Sequence, residues 1–472
     1  MADGLLVERL RQYLRDLSPE ARTLLMTELE RGLLRGEDMP GAELVLQELR
    51  RNARDNVRPK RPGTLARLFF QPLEPILVDD SATHNHPGRV ARVVLDPIWD
   101  WICRDLMPGE AKAVTDQVAL AFEDGYPERA EEIARAFQDR VAIRIQEVLA
   151  AARSDDKVRR KLAGQIGTPR PIEDATAILN VIKARDILAA FGAQLPNHIK
   201  TFDDSNVTAV KAMIDAPTAG GPTLFVYVLV MTMSRLASPW QLIRLAVRAA
   251  GSDNATRIAE TPYAATVDIV LAEVQRMIRE LKAELRSGRG LAVGALLKSI
   301  HDASRGLRSE INFAHESPWG RGLAALRAQV SDLLKGEIET LPGRVRRLLR
   351  PRPIKEIAPN STLDQNDVTE TEAQIEFVNT CRAYAGELAL SELTTRTWTD
   401  LEHYLDPATA SLVENLRAAG ESDRLFRQSQ LDAAVRFCRK VFGDEYAALL
   451  LKARDVAARD VAAAAERKAA KG

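Results

Sequence analysis

Two carboxylates and two imidazoles fall within eight residues at Asp79-Asp80-Ser81-Ala82-Thr83-His84-Asn85-His86. Neutral imidazole nitrogen combined with carboxylate oxygen suits zinc, manganese or iron. The intervening residues are small or turn-forming, so a loop here can bend until the four groups converge. A divalent-metal site on Asp79, Asp80, His84 and His86 is therefore the first chemical expectation. The competing one is a solvated polar loop in which an aspartate caps a turn, because His-x-His beside Asp is not a specific spacing. The letters His84-Asn85-His86 do not form the nuclease motif of similar name, whose histidines come from separate elements.

A second group is aromatic. Phe69, Phe70, Trp99 and Trp101 give the stretch 65–107 an aromatic density found nowhere else in the chain. Such side chains line peptide-binding grooves, and they also anchor irregular segments to a core. A third group is basic: Arg344, Arg346, Arg347, Arg350, Arg352 and Lys355. It could hold the phosphates of nucleic acid or of an acidic lipid. No aromatic residue interleaves to stack bases, and the run equally suits a helix C-terminus, where the dipole favours cations, followed by a linker.

The remaining matches fail on spacing. His301 and His315 lie on helical segments, but neither keeps the spacing of a histidine-kinase box or of a phosphotransfer domain. Gly288-x-Gly290-x-x-x-Gly294 lacks the dinucleotide-binding spacing. Ser154-Asp155-Asp156-Lys157 fits Ser-x-x-Lys without its companion motifs. The chain contains no phosphate-binding GxxxxGK[ST], no GxSxG and no zinc-protease helix. Cys103, Cys381 and Cys438 are far apart with no Cys-x-x-Cys, which reads as buried free thiols in a reducing compartment.

The elements that must carry these residues are helical. Val267, Leu271, Val274, Ile278, Leu281 and Leu285 alternate spacings of four and three, the repeat of a narrow apolar seam. The seam resumes at Leu297, Ile300, Ser304, Leu307 and Ile311, and again at Leu323, Leu326, Val330 and Leu333. The breaks at Ser287-Gly288-Arg289-Gly290 and Ser317-Pro318 suit reversals and helix starts. The expected fold is all-α: a multi-helix body of antiparallel hairpins with heptad-like, coiled-coil seams and a smaller C-terminal helical domain.

The expected organisation is an N-terminal helical unit over 1–52 and a linker over 53–64. A main domain follows over 65–350, with an irregular Pro- and aromatic-rich segment at 65–108 and the heptad hairpins at 263–341. A linker over 351–364 is marked by Pro351, Pro353 and Pro359, and a C-terminal domain spans 365–472. The Ala-rich tail is expected to fray past Val461.

Composition narrows the function classes. The 66 basic residues balance 66 acidic ones, so attraction to nucleic acid or acidic membrane must come from a local patch. The most apolar run, Leu224 to Met233, is too short to span a bilayer, and Ala2 to Leu17 mixes charges with leucines, unlike a signal peptide. The leading expectation is a non-enzymatic cytoplasmic interaction or scaffold protein that binds a protein partner or itself. The alternatives are a metal-dependent enzyme built on the Asp79–His86 loop and a peripheral binder of nucleic acid or anionic lipid through Arg344–Lys355. No cofactor is expected beyond a divalent metal on that loop.

Overall fold

The computed structural model describes Leu14, residues 24–29, 41, 42, 45, 46, 49, 63–216, 221–287, 293–314 and 316–469, with Ser287 and 460–469 described by their backbone alone. The all-α expectation holds: the structure is a multi-helix fold with almost no strand. It divides into two compact units, Met1–Ala237 and Ser238–Gly472. Most of the proposed N-terminal helical unit, nearly all of the 53–64 linker, and His315 lie outside the described residues.

In the first unit the chain enters through α1 (Leu65–Phe70) and a 3-10 segment (Gln71–Ile76), whose Pro72 and Pro75 forbid a longer α-helix. Two short strands follow, β1 (Leu77–Val78) and β2 (Val90–Ala91), paired in parallel with Leu77 opposite Val90 and Val78 opposite Ala91. A 3-10 turn leads to α2 (Leu95–Trp101) and a π-helical turn at Ile102–Leu106. Then come α3 (Pro108–Glu123), α4 (Pro127–Ser154), α5 (Asp156–Ile166), α6 (Pro171–Lys183), α7 (Arg185–Gln194), α8 (Asp204–Asp215) and α9 (Phe225–Arg235). Proline occupies the first position of α3, α4 and α6, where its missing N–H costs nothing. The Asp155 side chain accepts from Lys157 N–H at 2.7 Å to start α5, and Gly167, at φ +74°, ends it. The sequence reads Ile172 to Phe191 as one helix; the chain instead breaks at Ala184 between α6 and α7.

α4 is the spine of this unit, packing against α1, α3, α5 and α6. Its Ala130, Phe137, Val141 and Ile145 are fully buried, as the helical spacing requires. Gln138 lies on the same inward side. Its Nε2 donates to Leu68 O at 3.1 Å and to Phe69 O at 3.0 Å, carbonyls that α1 leaves open at its C-terminal end.

The second unit opens with a 3-10 turn at Pro239–Ile243, where the sequence reads the start of a helix. It continues through α10 (Arg244–Ala250), α11 (Ala255–Ala259), α12 (Ala264–Ser287), α13 (Val293–Glu310), α14 (Pro318–Leu349), α15 (Gln365–Ala383), α16 (Ser391–Arg417), α17 (Arg424–Phe442) and α18 (Asp444–Ala469). α12 packs against both α13 and α14. The heptad positions Val267, Val274, Ile278 and Leu281, then Leu297, Ile300 and Leu307, then Leu323, Leu326 and Val330, are all buried. Three positions differ: Leu271 and Leu285 on α12 are only partly buried, and the α14 seam passes through Leu334, Ile338 and Leu341, leaving Leu333 partly buried. Helix α14 also runs through Pro342 and Gly343 to Leu349, past the expected end of the heptad hairpins at 341.

The domain expectation needs correction here. A single apolar core extends from Val274 to Ala457, straight across the expected linker 351–364. Ile357 and Leu363 are 8% and 5% exposed within it. The prolines end α14, but the chain stays in the core because α17 receives it. Gln430 Nε2 donates to Leu348 O at 3.0 Å and Arg350 O at 3.1 Å, and Arg427 Nη2 donates to Arg352 O at 2.6 Å. The units instead divide between Ala237 and Ser238, inside what reads as one main domain. The backbone of the last helix runs to Ala469.

Two outcomes follow from this packing. Replacing Gln430 with Leu takes both donors from buried carbonyls and is expected to cost the second unit about 1–3 kcal/mol, read as a lower denaturant midpoint for that unit. The two buried thiols give the other. Burial pushes Cys381 and Cys438 up from 9.0 to about 12. Between these values the unfolded chain has released thiol protons that the folded unit still holds, so stability falls as pH rises from 9 towards 12. In the native protein at pH 8, alkylation should reach Cys103, which is only partly buried, and reach Cys381 and Cys438 only after unfolding. Rapid labelling of all three under native conditions would contradict this packing.

Candidate metal centre

The loop between β1 and β2, residues 79–89, has its two ends tied side by side by the parallel ladder. Within it the backbone makes two tight reversals. His84 N–H donates to Ser81 O at 3.2 Å, helped by Ser81 Oγ, which accepts from Thr83 N–H at 3.3 Å. Arg89 N–H donates to His86 O at 3.0 Å across Pro87-Gly88. Gly88 has φ +69°, and proline followed by a positive-φ glycine is the signature of a type II turn. A side chain at Gly88 would also place its Cβ 2.7 Å from the Val226 carbonyl oxygen, so the glycine lets the loop lie against α9.

These turns bring Asp80, His84 and His86 together, one ligand atom from each lying within 4.8 Å of the others. His84 Nδ1 is 3.2 Å from Asp80 Oδ1, and His86 Nε2 is 3.6 Å from Asp80 Oδ2. Donors held about 2.0–2.2 Å from a tetrahedral ion stand roughly 3.3–3.5 Å apart. The first pair also suits a hydrogen bond; the second is too long for one and suits a shared ion. The side chains of His86 and Asp80 are 6% and 12% exposed, while His84 is 38% exposed and borders solvent. Asp80 is further fixed by accepting from Ser81 N–H at 2.7 Å.

Asp79 does not join this set. Its Oδ1 accepts from Arg92 Nε at 3.0 Å, and the same guanidinium donates to both Glu74 oxygens at 3.2 Å. Asp79 thus ties the loop's first residue to the segment after β2, and Arg92 is held in its charged form chiefly by the Glu74 bonds. On the other side, Arg170, just before α6, donates to Asn85 Oδ1 at 2.9 Å and approaches His84 O at 3.5 Å. Near it, burial raises the Asp174 carboxyl against the opposing hydrogen bond from Thr168 Oγ1 at 2.8 Å. Sequence reasoning missed Arg170, for which no local signal exists. It also missed the role of Gly88, which the Pro87-Gly88 pair does signal.

The other expected sites are placed differently. Phe69, Phe70 and Trp101 are buried, and Trp99 packs its ring 5.4 Å from Phe69 and 6.0 Å from Phe70. This corrects the groove expectation: the cluster, completed by Phe137, anchors the irregular segment to α4. The basic run is largely engaged within its own unit. Arg344 lies 3.3 Å from Glu370, Arg347 lies 3.6 Å from Asp367, and Arg346 and Arg352 cover the rings of Tyr404 and Phe426. Arg350 and Lys355 are exposed. His301 approaches Asp302 at 3.1 Å and packs on Tyr384. Among the described residues, no helix is long and apolar enough to cross a membrane.

Comparison with known proteins gives no match to a family model, a curated sequence or a solved structure.

Because Gly88 seats the loop on α9, Gly88→Ala combines an unfavourable backbone conformation with a contact that must shift. The left-handed strain alone is worth about 1–2 kcal/mol. The expected result is a loop with faster amide hydrogen exchange over 79–89 and an otherwise unchanged exchange pattern in the first unit. Unchanged exchange in the loop would show that Gly88 does not position it.

Proposed function

We propose that this chain is a metal-dependent protein whose Asp80, His84 and His86 hold one divalent transition-metal ion, zinc being the first expected. The observation that carries the reading is the convergence of a carboxylate and two imidazoles at ligand-to-ligand separations. Among the described residues no fourth histidine, cysteine or carboxylate joins the group. Three protein ligands with one position left for water or substrate is the count of a catalytic zinc site, whereas structural sites close all four. The partly exposed His84 side supplies access. When bound, such an ion lowers the pKa of its water and polarises a carbonyl or phosphoryl oxygen. Arg170 would brace the loop from behind through Asn85, and Asp79 would anchor its base through Arg92.

The scaffold reading rests on the heptad seams. The heptad seams pack for the most part inside the second unit's own core, which gives that reading less support. The anion-binding reading likewise loses most of its arginines to carboxylates and rings.

Metal content of the purified, untagged chain tests the proposal. Expected is about one zinc per chain after dialysis, and visible d–d absorption of tetrahedral type on cobalt substitution. Asp80→Asn and the His84→Ala, His86→Ala double variant should each weaken zinc binding by about 100-fold or more, and Arg170→Ala by about 10-fold, the usual effect of a supporting residue. Asp79→Asn should retain the metal. Equal metal content in the wild type and the double variant would end the metal reading and leave the cluster as a hydrogen-bonded lock on the loop.

A further inference from the structure

The first unit also contains a cavity of about 540 Å³ that the metal reading does not use. It opens between α4, α7, α9 and the proline-bearing segment after α1. Its lining is mixed. Ala134 on α4 and Gly192 on α7 leave the space, Pro72, Leu188 and Met231 supply apolar wall, and much of the rest is amide or charged. The volume lies in the range that small-molecule sites occupy, and a lining of this kind suits a ligand that is itself part apolar and part polar.

Four charged side chains border it: Glu131 and Arg135 on α4, Arg185 on α7, and Arg235, the last residue of α9. Two of them are matched by neighbours. Arg185 presents its two terminal nitrogens to Asp139, at 2.7 and 3.1 Å, and Arg135 lies 2.9 Å from Asp186. The other two have no partner of opposite charge among the described residues. Arg235 is half-buried, and its Nη1 reaches the Asn197 carbonyl at 3.5 Å. Glu131 is exposed. They do not pair with each other, so one unmatched cation and one unmatched anion stand apart on different walls, both open to a solute.

Charge selects among ligands. A guanidinium with N–H groups to spare takes a carboxylate across its fork, and a carboxylate takes an ammonium. A ligand that answers both walls carries the two charges at opposite ends. A peptide with free termini does so, and its backbone amide groups also suit the exposed Gln71 and Asn197 side chains on the lining. We propose that this cavity binds a short apolar peptide, a di- or tripeptide with both termini free, whose C-terminal carboxylate is held by Arg235, whose N-terminal ammonium faces Glu131, and whose apolar side chains lie along Pro72, Leu188 and Met231.

The dipeptide leucyl-leucine is the probe, titrated into the full-length protein by calorimetry beside its N-acetyl form and its C-terminal amide, each of which lacks one charge. Expected is saturable one-to-one binding of the free dipeptide. The amide should bind about 10-fold more weakly, the worth of a hydrogen bond to a charged, half-buried group. The acetyl form should bind about 3-fold more weakly, because Glu131 is exposed and its pairing is worth less. Arg235→Gln should then bind the free dipeptide and its amide equally, and Glu131→Gln should bind the free dipeptide and its acetyl form equally, each variant keeping the other preference. Both are first shown to keep the wild-type circular dichroism and thermal midpoint. A merely structural effect would weaken all three ligands together and leave the preferences in place. No binding of the dipeptide, wild-type binding that ignores either cap, or a preference that survives in its own variant would overturn the assignment. The wild-type affinity should be the same with and without added zinc, whatever the fate of the metal site; an affinity that needed zinc would put the peptide at the loop and not in this cavity.

Discussion

A helix that stops inside a hydrophobic core leaves carbonyl oxygens that water cannot reach, and each must find another donor. Both units meet this constraint with a buried glutamine from a distant helix. Gln138 meets the last carbonyls of α1, and Gln430, with Arg427 beside it, meets the carbonyls at and beyond the end of α14. The primary amide suits this role because its nitrogen carries two donors that can reach two carbonyls at once. In the first unit the consequence is positional. Fixing the end of α1 fixes where the Pro72–Pro75 segment begins, hence where β1 starts, and hence where the loop carrying Asp80, His84 and His86 emerges. In the second unit it keeps the chain beyond Pro351 in the core.

That constraint also explains what the sequence does and does not state. The helical class is legible because the four–three alternation is a property of each segment alone, and most of its seam positions are buried. The departure at Leu333 is small and physical: an unsupercoiled helix drifts against a strict heptad, and the seam moves to Leu334. Domain limits are a different matter. Prolines and polar residues report that a helix ends, not that the chain has left its core. The run 351–364 has linker composition, yet Ile357 and Leu363 are inside. Conversely, the division after Ala237 is marked by nothing stronger than Ser238-Pro239, the start of one more helical turn. Gln430 is the exception that shows what was available: a polar residue on an apolar helical face announces a buried partner, though not which one.

The loop divides in the same way. Its turns are local and legible: Pro87-Gly88 sets one reversal, and Ser81 with Thr83 sets the other. The choice between Asp79 and Asp80 is not legible, since both sit in the same composition. It is settled by the strand before them. Successive residues leaving β1 point to opposite sides, so Asp79 turns out to Arg92 and Asp80 turns in to the imidazoles. The supports of the loop come from far along the chain, Arg170 on one side and the Val226 backbone on another, and no linear motif can place them.

Sites carried on loops are usually less well positioned than sites carried on helices, because the loop must be ordered before its ligands coincide. Here that ordering is done by folding itself. The parallel ladder closes the ends, two hydrogen-bonded turns shape the interior, Gly88 sets the loop against α9, and Arg170 and Arg92 hold its two sides. The entropy of arranging Asp80, His84 and His86 is then already met in the folded protein, and would not be charged to an ion on the proposed reading. With one ligand atom from each residue already within 4.8 Å of the others, closing on an ion would take only small adjustments. Ligand spacing on an ordered loop is therefore a stronger argument for metal than the letters His-x-His, which occur readily in loops that never converge.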